Sequence, residues 1–100
     1  MTELTVTVNH RTTRLSIALD TLIELSRAET ARWWGLRSAV AESLERVTNQ
    51  LISARYSMNN NIISQEVAYA YAVAADKFIF QIVLRRQLIE HIAPDRKARS

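Results

Sequence analysis

Apolar and polar residues alternate through the first twenty positions. Leu4, Val6 and Val8 are separated by Thr5 and Thr7, and Leu15, Ile17 and Leu19 by Ser16 and Ala18. A period of two puts one set of side chains on a buried face and the other in solvent, as a strand does. The polar run 9–13 between the two segments has the length of a hairpin link. The pattern predicts a β-hairpin over residues 3–19. Leu15, Leu19 and Leu22 also fit a helical stripe, so a helix starting near Thr12, and with it an all-α chain, is the alternative.

From Thr21 onward the period changes. Thr21 followed by Glu24 has capping-box spacing, which starts a first helix over 21–34. Glu24 with Arg27, and Glu29 with Arg32, then support its wet face. Gly35 can end it in a left-handed conformation. Leu36, Val40, Leu44, Val47, Leu51, Ala54 and Met58 recur every three or four residues and define a second helix, 36–58, that buries one stripe. Ser38 is its candidate cap, and Glu42 with Arg46 an i,i+4 pair. Asn59, Asn60 and Asn61 form a turn. A third helix over 62–92 carries one stripe of Ile63, Val67, Ala70, Ala74, Phe78 and Ile82, and a second of Tyr69, Val73, Phe80 and Val83. A helix apolar on several sides lies at the centre of its domain or is covered twice. Pro94 is expected to stop it, leaving a basic tail over 94–100. The fold expected is one α+β, mainly α domain: an N-terminal hairpin and three helices packed as a small bundle.

Length and composition narrow the class. One hundred residues make a single domain, residues 1–100, with little core for its surface, so docking on a partner or forming a homodimer is a common source of stability. The 48% apolar content with one Gly and one Pro belongs to a folded chain. There is no cysteine, which excludes disulfides, zinc–thiolate sites and thiol nucleophiles. Neither an unbroken apolar run of membrane-spanning length nor a signal-peptide start is read, so no membrane and a cytoplasmic location are expected. The net charge of +3 permits contact with nucleic acid or an acidic protein surface.

Catalytic equipment is sparse. The two histidines are His10 and His91. His91 lies four residues from Asp95, but Pro94 intervenes and no further ligand is near. No Gly-rich phosphate loop exists and no Ser sits in a nucleophile elbow. The expectation is no enzyme, no metal and no cofactor. Asp76, among apolar neighbours, needs a partner, best supplied by an Arg of another helix, or else it faces the rim of an interface. The candidate contact residues are Arg32, Trp33, Trp34 and Arg37, because Trp and Arg dominate interface hot spots, together with Arg11 and Arg14 beside the hairpin link. Adjacent helical residues point about 100° apart, so one Trp can enter the core while the other stays near the surface.

The segment Arg14-Leu15-Ser16-Ile17-Ala18-Leu19-Asp20, followed by Gly35-Leu36-Arg37-Ser38 and the run 39–44, resembles the ribbon-helix-helix DNA-binding proteins. That resemblance implies a dimer whose paired strands enter the major groove. Arg14, Ser16 and Ala18 would then face bases, and Ser38 would touch phosphate.

Two functions are expected from these readings. The first is a non-catalytic protein that acts stoichiometrically, as a regulator or inhibitor, by occupying a surface of a larger protein or nucleoprotein assembly. An inhibitor of host defence machinery carried by a phage or plasmid is an example of that size and composition. The second is a dimeric ribbon-helix-helix-like repressor or antitoxin.

Overall fold

The structure is a computed structural model that describes residues 2–99, with side-chain surroundings described up to residue 92. It consists of β1 (Thr5–Val8), β2 (Arg11–Arg14), α1 (Leu15–Trp34), α2 (Ser38–Asn59) and α3 (Gln65–Arg99). A two-stranded antiparallel hairpin thus precedes three helices, as the mainly α class predicted.

The hairpin is shorter than expected. Thr5 pairs with Arg14 and Val8 with Arg11. Asn9 and His10, with φ of 50° and 65°, form the whole turn. Two consecutive left-handed residues match the twist of a two-residue hairpin, and Asn accepts that conformation readily. Val6 and Val8 point into the core while Thr5 and Thr7 face solvent. The second alternating run, expected as a strand, begins α1 instead. Leu15, Leu19 and Leu22 are all fully buried on one helical face, so the three-to-four-residue spacing prevails over the alternation. The ribbon implied by the family resemblance is therefore absent from this segment. Ser16 and Ala18 lie in the first turns of a helix, and Ala18 is buried.

Thr21 is likewise inside α1, its hydroxyl donating to the Ile17 carbonyl at 3.0 Å rather than capping. The start of α1 is closed from upstream. Its N-cap, Arg14, makes no side-chain cap bond. The Leu15 N–H donates to the Leu4 carbonyl at 2.8 Å, and the Ser16 N–H donates to Glu3 Oε1 at 2.8 Å. Two otherwise unpaired first-turn donors are thus satisfied, one of them by a carboxylate at the positive end of the helix dipole. The Leu4 N–H in turn donates to the side chain of Gln65, the first residue of α3. One short segment ties together the starts of α1 and α3.

Residues 35–37 connect α1 to α2, and so short a link makes the two helices antiparallel neighbours. Gly35 ends α1 with φ −85°, in the right-handed region and not the left-handed one expected. The N–H groups of Leu36 and Arg37 both donate to the Trp33 carbonyl instead. α2 follows Arg37 as N-cap, and Ser38 makes no cap bond. Its stripe is largely as predicted: Leu44, Leu51 and Ala54 are buried, joined by Ala41 and Thr48. A buried hydroxyl pair, Ser26 with Thr48 at 2.6 Å, bridges α1 and α2. Asn61, with φ 57°, turns the chain into α3.

α3 runs parallel to α1, because Gln65 meets the segment at the start of α1 while Arg86 reaches Glu29 near its end. Its residues Ala68, Ala72, Ala75, Ile79 and Ile82 face the bundle. That is not the stripe expected: Val67, Ala70 and Ala74 are exposed, and only Ile82 of that set is buried. A helix apolar on every side leaves its buried face undecided by periodicity, and the small alanines permit the closest approach. The helix continues past Pro94 to Arg99. A proline inside a helix forfeits one N–H bond without necessarily ending it. The side chains of 93–99, where the basic tail was expected, lie outside the described residues. Gln65–Ile92, at 28 residues and mean hydropathy 1.5, is long and apolar enough to cross a membrane by length and composition alone. The expectation of no such segment rested on an unbroken apolar run, whereas this one is interrupted by Asp76 and Lys77 near its middle and carries Glu66, Arg85, Arg86 and Glu90 toward its ends.

Ser16, through its hydroxyl and N–H, and more weakly the Arg14 guanidinium, hold the Glu3 carboxyl below the usual carboxylate range. A depressed folded-state pKa stabilises the fold at neutral pH, and that contribution is lost as pH falls through the lowered value. Glu3→Gln is expected to cost about 0.5 kcal/mol at pH 7 at low salt. Urea titrations of the two proteins should converge as pH drops below the Glu3 pKa, and a gap that persists there would remove this explanation.

Candidate functional site

The α1 register fixes Glu29 on the face that meets α3, and the α3 register places Arg86 opposite it. Both are buried, which corrects the expectation that Glu29 sits with Arg32 on a wet face. Arg86 Nε donates to Glu29 Oε2 at 2.8 Å and Nη2 donates to Oε1 at 2.8 Å, a bidentate pair. Nη1 donates to Glu90 Oε2 at 2.9 Å, and Arg32 Nη1 reaches Glu29 Oε1 at 3.1 Å from its exposed side. Two parallel bonds with ideal geometry offset the desolvation of a buried charge pair. Hydrogen bonding to Glu29 first, then to Glu90, raises the Arg86 pKa against the opposing effect of burial, so this cation stays charged at every accessible pH.

Beside this pair opens a groove of about 570 Å³ between the hairpin tip, α1 and α3. Its walls are apolar, from Leu25 and Ala28 on α1 and from Phe80, Val83 and Leu84 on α3. Its rim carries His10, Arg32 and Lys77. The hairpin tip is held over one end. The Asn9 N–H donates to Asp76 Oδ1 at 3.1 Å, and the His10 ring meets Phe80 edge-on with centroids 6.3 Å apart. Asp76 therefore finds its partner in a backbone N–H of the turn, not in an Arg of another helix. Lys77 is exposed and makes no ion pair among the described residues.

The residues singled out from sequence do not form one surface. Arg32, Trp34 and Arg37 gather at the α1–α2 corner, all exposed, with Trp34 at 47%. Trp33 is 1% exposed and belongs to the core, where its indole N–H has no acceptor. It cannot contact a partner. Arg11 follows the hairpin turn and is exposed. Arg14 caps α1, eighteen residues from Arg32 and so about 27 Å away along the helix. Glu29, Arg86, Asp76, Lys77 and Phe80 are the site residues that the sequence reading passed over or assigned elsewhere. The signal for Arg86 lies in the 4,3,4,3,4 spacing of Ala68, Ala72, Ala75, Ile79, Ile82 and Arg86: a charge that falls on a buried stripe requires a buried counter-charge.

Among the described residues no three His, Asp or Glu side chains are grouped as metal ligands. Asp95, four residues from His91, lies outside the described side chains. The arrangement offers apolar contact flanked by both signs of charge: Arg32 on Glu29, and Lys77 next to Asp76. Compared with protein-family models, curated proteins and solved structures, the chain matches none of them.

Removing one member of the buried pair leaves the other without its main counter-charge. Glu29→Ala is expected to destabilise the fold by about 3 kcal/mol, with Glu90 retaining part of the Arg86 contact. Replacing both residues by Leu should leave stability within about 1 kcal/mol of the native chain or raise it. Chemical denaturation measures both. A double replacement as damaging as the single one would show that the pair contributes net stability of its own.

Proposed function

We propose that this chain is a non-catalytic protein that acts stoichiometrically, as a regulator or inhibitor, by docking on a larger protein or nucleoprotein assembly. The observation that carries the reading is the groove between α1, α3 and the hairpin tip. It combines apolar walls with a rim where Arg32 already meets Glu29, and where Lys77, beside Asp76, makes no ion pair among the described residues. Its complement is a protein segment that presents an apolar side chain next to one or two carboxylates. The apolar residue would bury against Phe80, Val83 and Leu25, and a carboxylate would meet Lys77 first, with Arg32 shared with Glu29. Charge at a rim governs encounter rate and selectivity more than affinity, whereas a buried anchor governs dissociation. Arg11, Trp34 and Arg37 are exposed but do not line the groove, and would serve only a partner that reaches beyond it. The reading places the protein in the cytoplasm, in keeping with a chain free of cysteine.

Phe80 is 52% exposed, so Phe80→Asp should fold. The native chain is expected to retain a protein partner from its own host's lysate. Phe80→Asp should abolish that retention by placing a carboxylate in the apolar contact, and Lys77→Glu should slow association about tenfold at low salt. Retention that survives Phe80→Asp in a folded protein contradicts the reading. So does tight binding to free duplex DNA with steep salt dependence, the signature of a repressor.

A further inference from the structure

The face of α3 turned away from the bundle is uncovered and apolar toward both ends, with Lys77 and Gln81 at its middle. We infer that it is the contact surface of a symmetric homodimer, in which α3 packs antiparallel against α3 of a second copy. This surface adjoins the groove and shares Lys77 and Leu84 with it, so its test uses Ala70, Gln81 and Leu88, which lie outside the groove.

Three observations choose the second copy. The first is the order of side-chain sizes. Along the outward face the N-terminal half presents Ala70 and Ala74, and the C-terminal half presents Leu84 and Leu88. With Lys77 and Gln81 between the two pairs, these positions follow one another at alternating four- and three-residue steps, the spacing of a helix–helix seam. A twofold axis between Lys77 and Gln81 sets Ala70 against Leu88 of the partner subunit, and Ala74 against Leu84 of the partner subunit. Each large side chain then fills the space beside a small one, as close packing requires.

The second is charge. In this antiparallel register Lys77 faces Gln81 of the partner subunit, so an ammonium meets an amide oxygen that can accept its hydrogen bond. A parallel pair would set Lys77 against Lys77 of the partner subunit, an unfavourable like-charge contact.

The third is area. Leu88 is 63% exposed and Ile92 50%, on a 28-residue segment that exposes apolar side chains along its length. Such a segment is about 42 Å long and 11 Å across, and half of its wall is roughly 700 Å². That is close to the ~800 Å² each partner contributes to a stable interface of standard size. A lipid bilayer is the poorer occupant of this face. Insertion would carry Asp76 and Lys77 to mid-membrane at about 2.5–3.5 kcal/mol each, and would pull Arg86 from Glu29.

Sedimentation equilibrium across 1–100 µM protein, chosen as roughly the range of weak to moderate self-association, should give twice the chain mass at the upper end. Leu88→Glu and Ala70→Glu alter exposed residues outside the groove, and each should return the chain to monomer with unchanged helicity. Gln81→Glu should tighten the dimer about tenfold by pairing with the partner's Lys77 at two symmetric places, and Gln81→Lys should weaken it. The chain has no cysteine of its own. A mixture of Ala70→Cys and Leu88→Cys chains should therefore cross-link on oxidation, while neither does so alone. A chain that is monomeric throughout, a dimer indifferent to Leu88→Glu, or cross-linking of Ala70→Cys chains with themselves would overturn the inference. So would a monomer that co-sediments with phosphatidylcholine vesicles.

Discussion

The buried ion pair between Glu29 and Arg86 decides how α3 sits on the rest of the molecule. A helix with apolar residues on every side gains similar hydrophobic stabilisation in several rotational settings, so burial alone does not select one. A charged pair does. Turning α3 by one residue, about 100°, would leave a carboxylate or a guanidinium buried without its counter-charge, which costs several kcal/mol. Two weaker contacts on the same side of α3 reinforce the setting: Gln65 on the Leu4 N–H and Asp76 on the Asn9 N–H. All three tie α3 to segments near the start of the chain or on α1.

The surfaces follow from that setting. With Arg86 on Glu29, the alanines at 68, 72 and 75 turn inward and let α3 approach closely. Phe80 and Leu84 then line the groove, and Leu88 and Ile92 are left outward. The polar contact that specifies the fold thereby decides which apolar residues remain available for binding. The hairpin contributes by closing one end of the groove; Val6 and Val8 anchor it in the core, and Asp76 holds its tip. Structure and proposed function meet in one helix, whose inner face supplies the packing and whose remaining faces supply the contacts.

Much of this was legible in the sequence, in proportion to how local the determining interaction is. The α2 stripe from Leu44 to Ala54 was read directly, because a single amphipathic face admits one burial. The existence of a hairpin was also legible, but its end was not. Leu15, Ile17 and Leu19 satisfy a period of two, and Leu15, Leu19 and Leu22 satisfy the helical period, and the upstream caps from Glu3 and Leu4 that favour the helix lie outside any local window. The division of the two tryptophans between core and surface followed from helical geometry, although which one enters did not. The buried pair was the least legible feature. Its members stand 57 residues apart, and Glu29 has a nearer, apparently sufficient cation in Arg32. For the same reason the α3 stripe differs from the one expected, and of the candidate contact residues only Arg32 falls on the groove.

The central claim is that Glu29 and Arg86 select the face of α3 that is buried, and thiol labelling tests it most directly in a chain that has no cysteine. A single cysteine replaces Ala72, which is fully buried, or Tyr69, which is exposed and off the proposed dimer seam. In the native background Ala72→Cys should be protected and Tyr69→Cys should react readily. When Glu29 and Arg86 are both replaced by Leu, the account predicts a folded protein in which the protection of Ala72→Cys is largely lost, because α3 samples more than one setting. Protection that remains complete in that background would contradict the account and assign the choice of face to alanine packing alone.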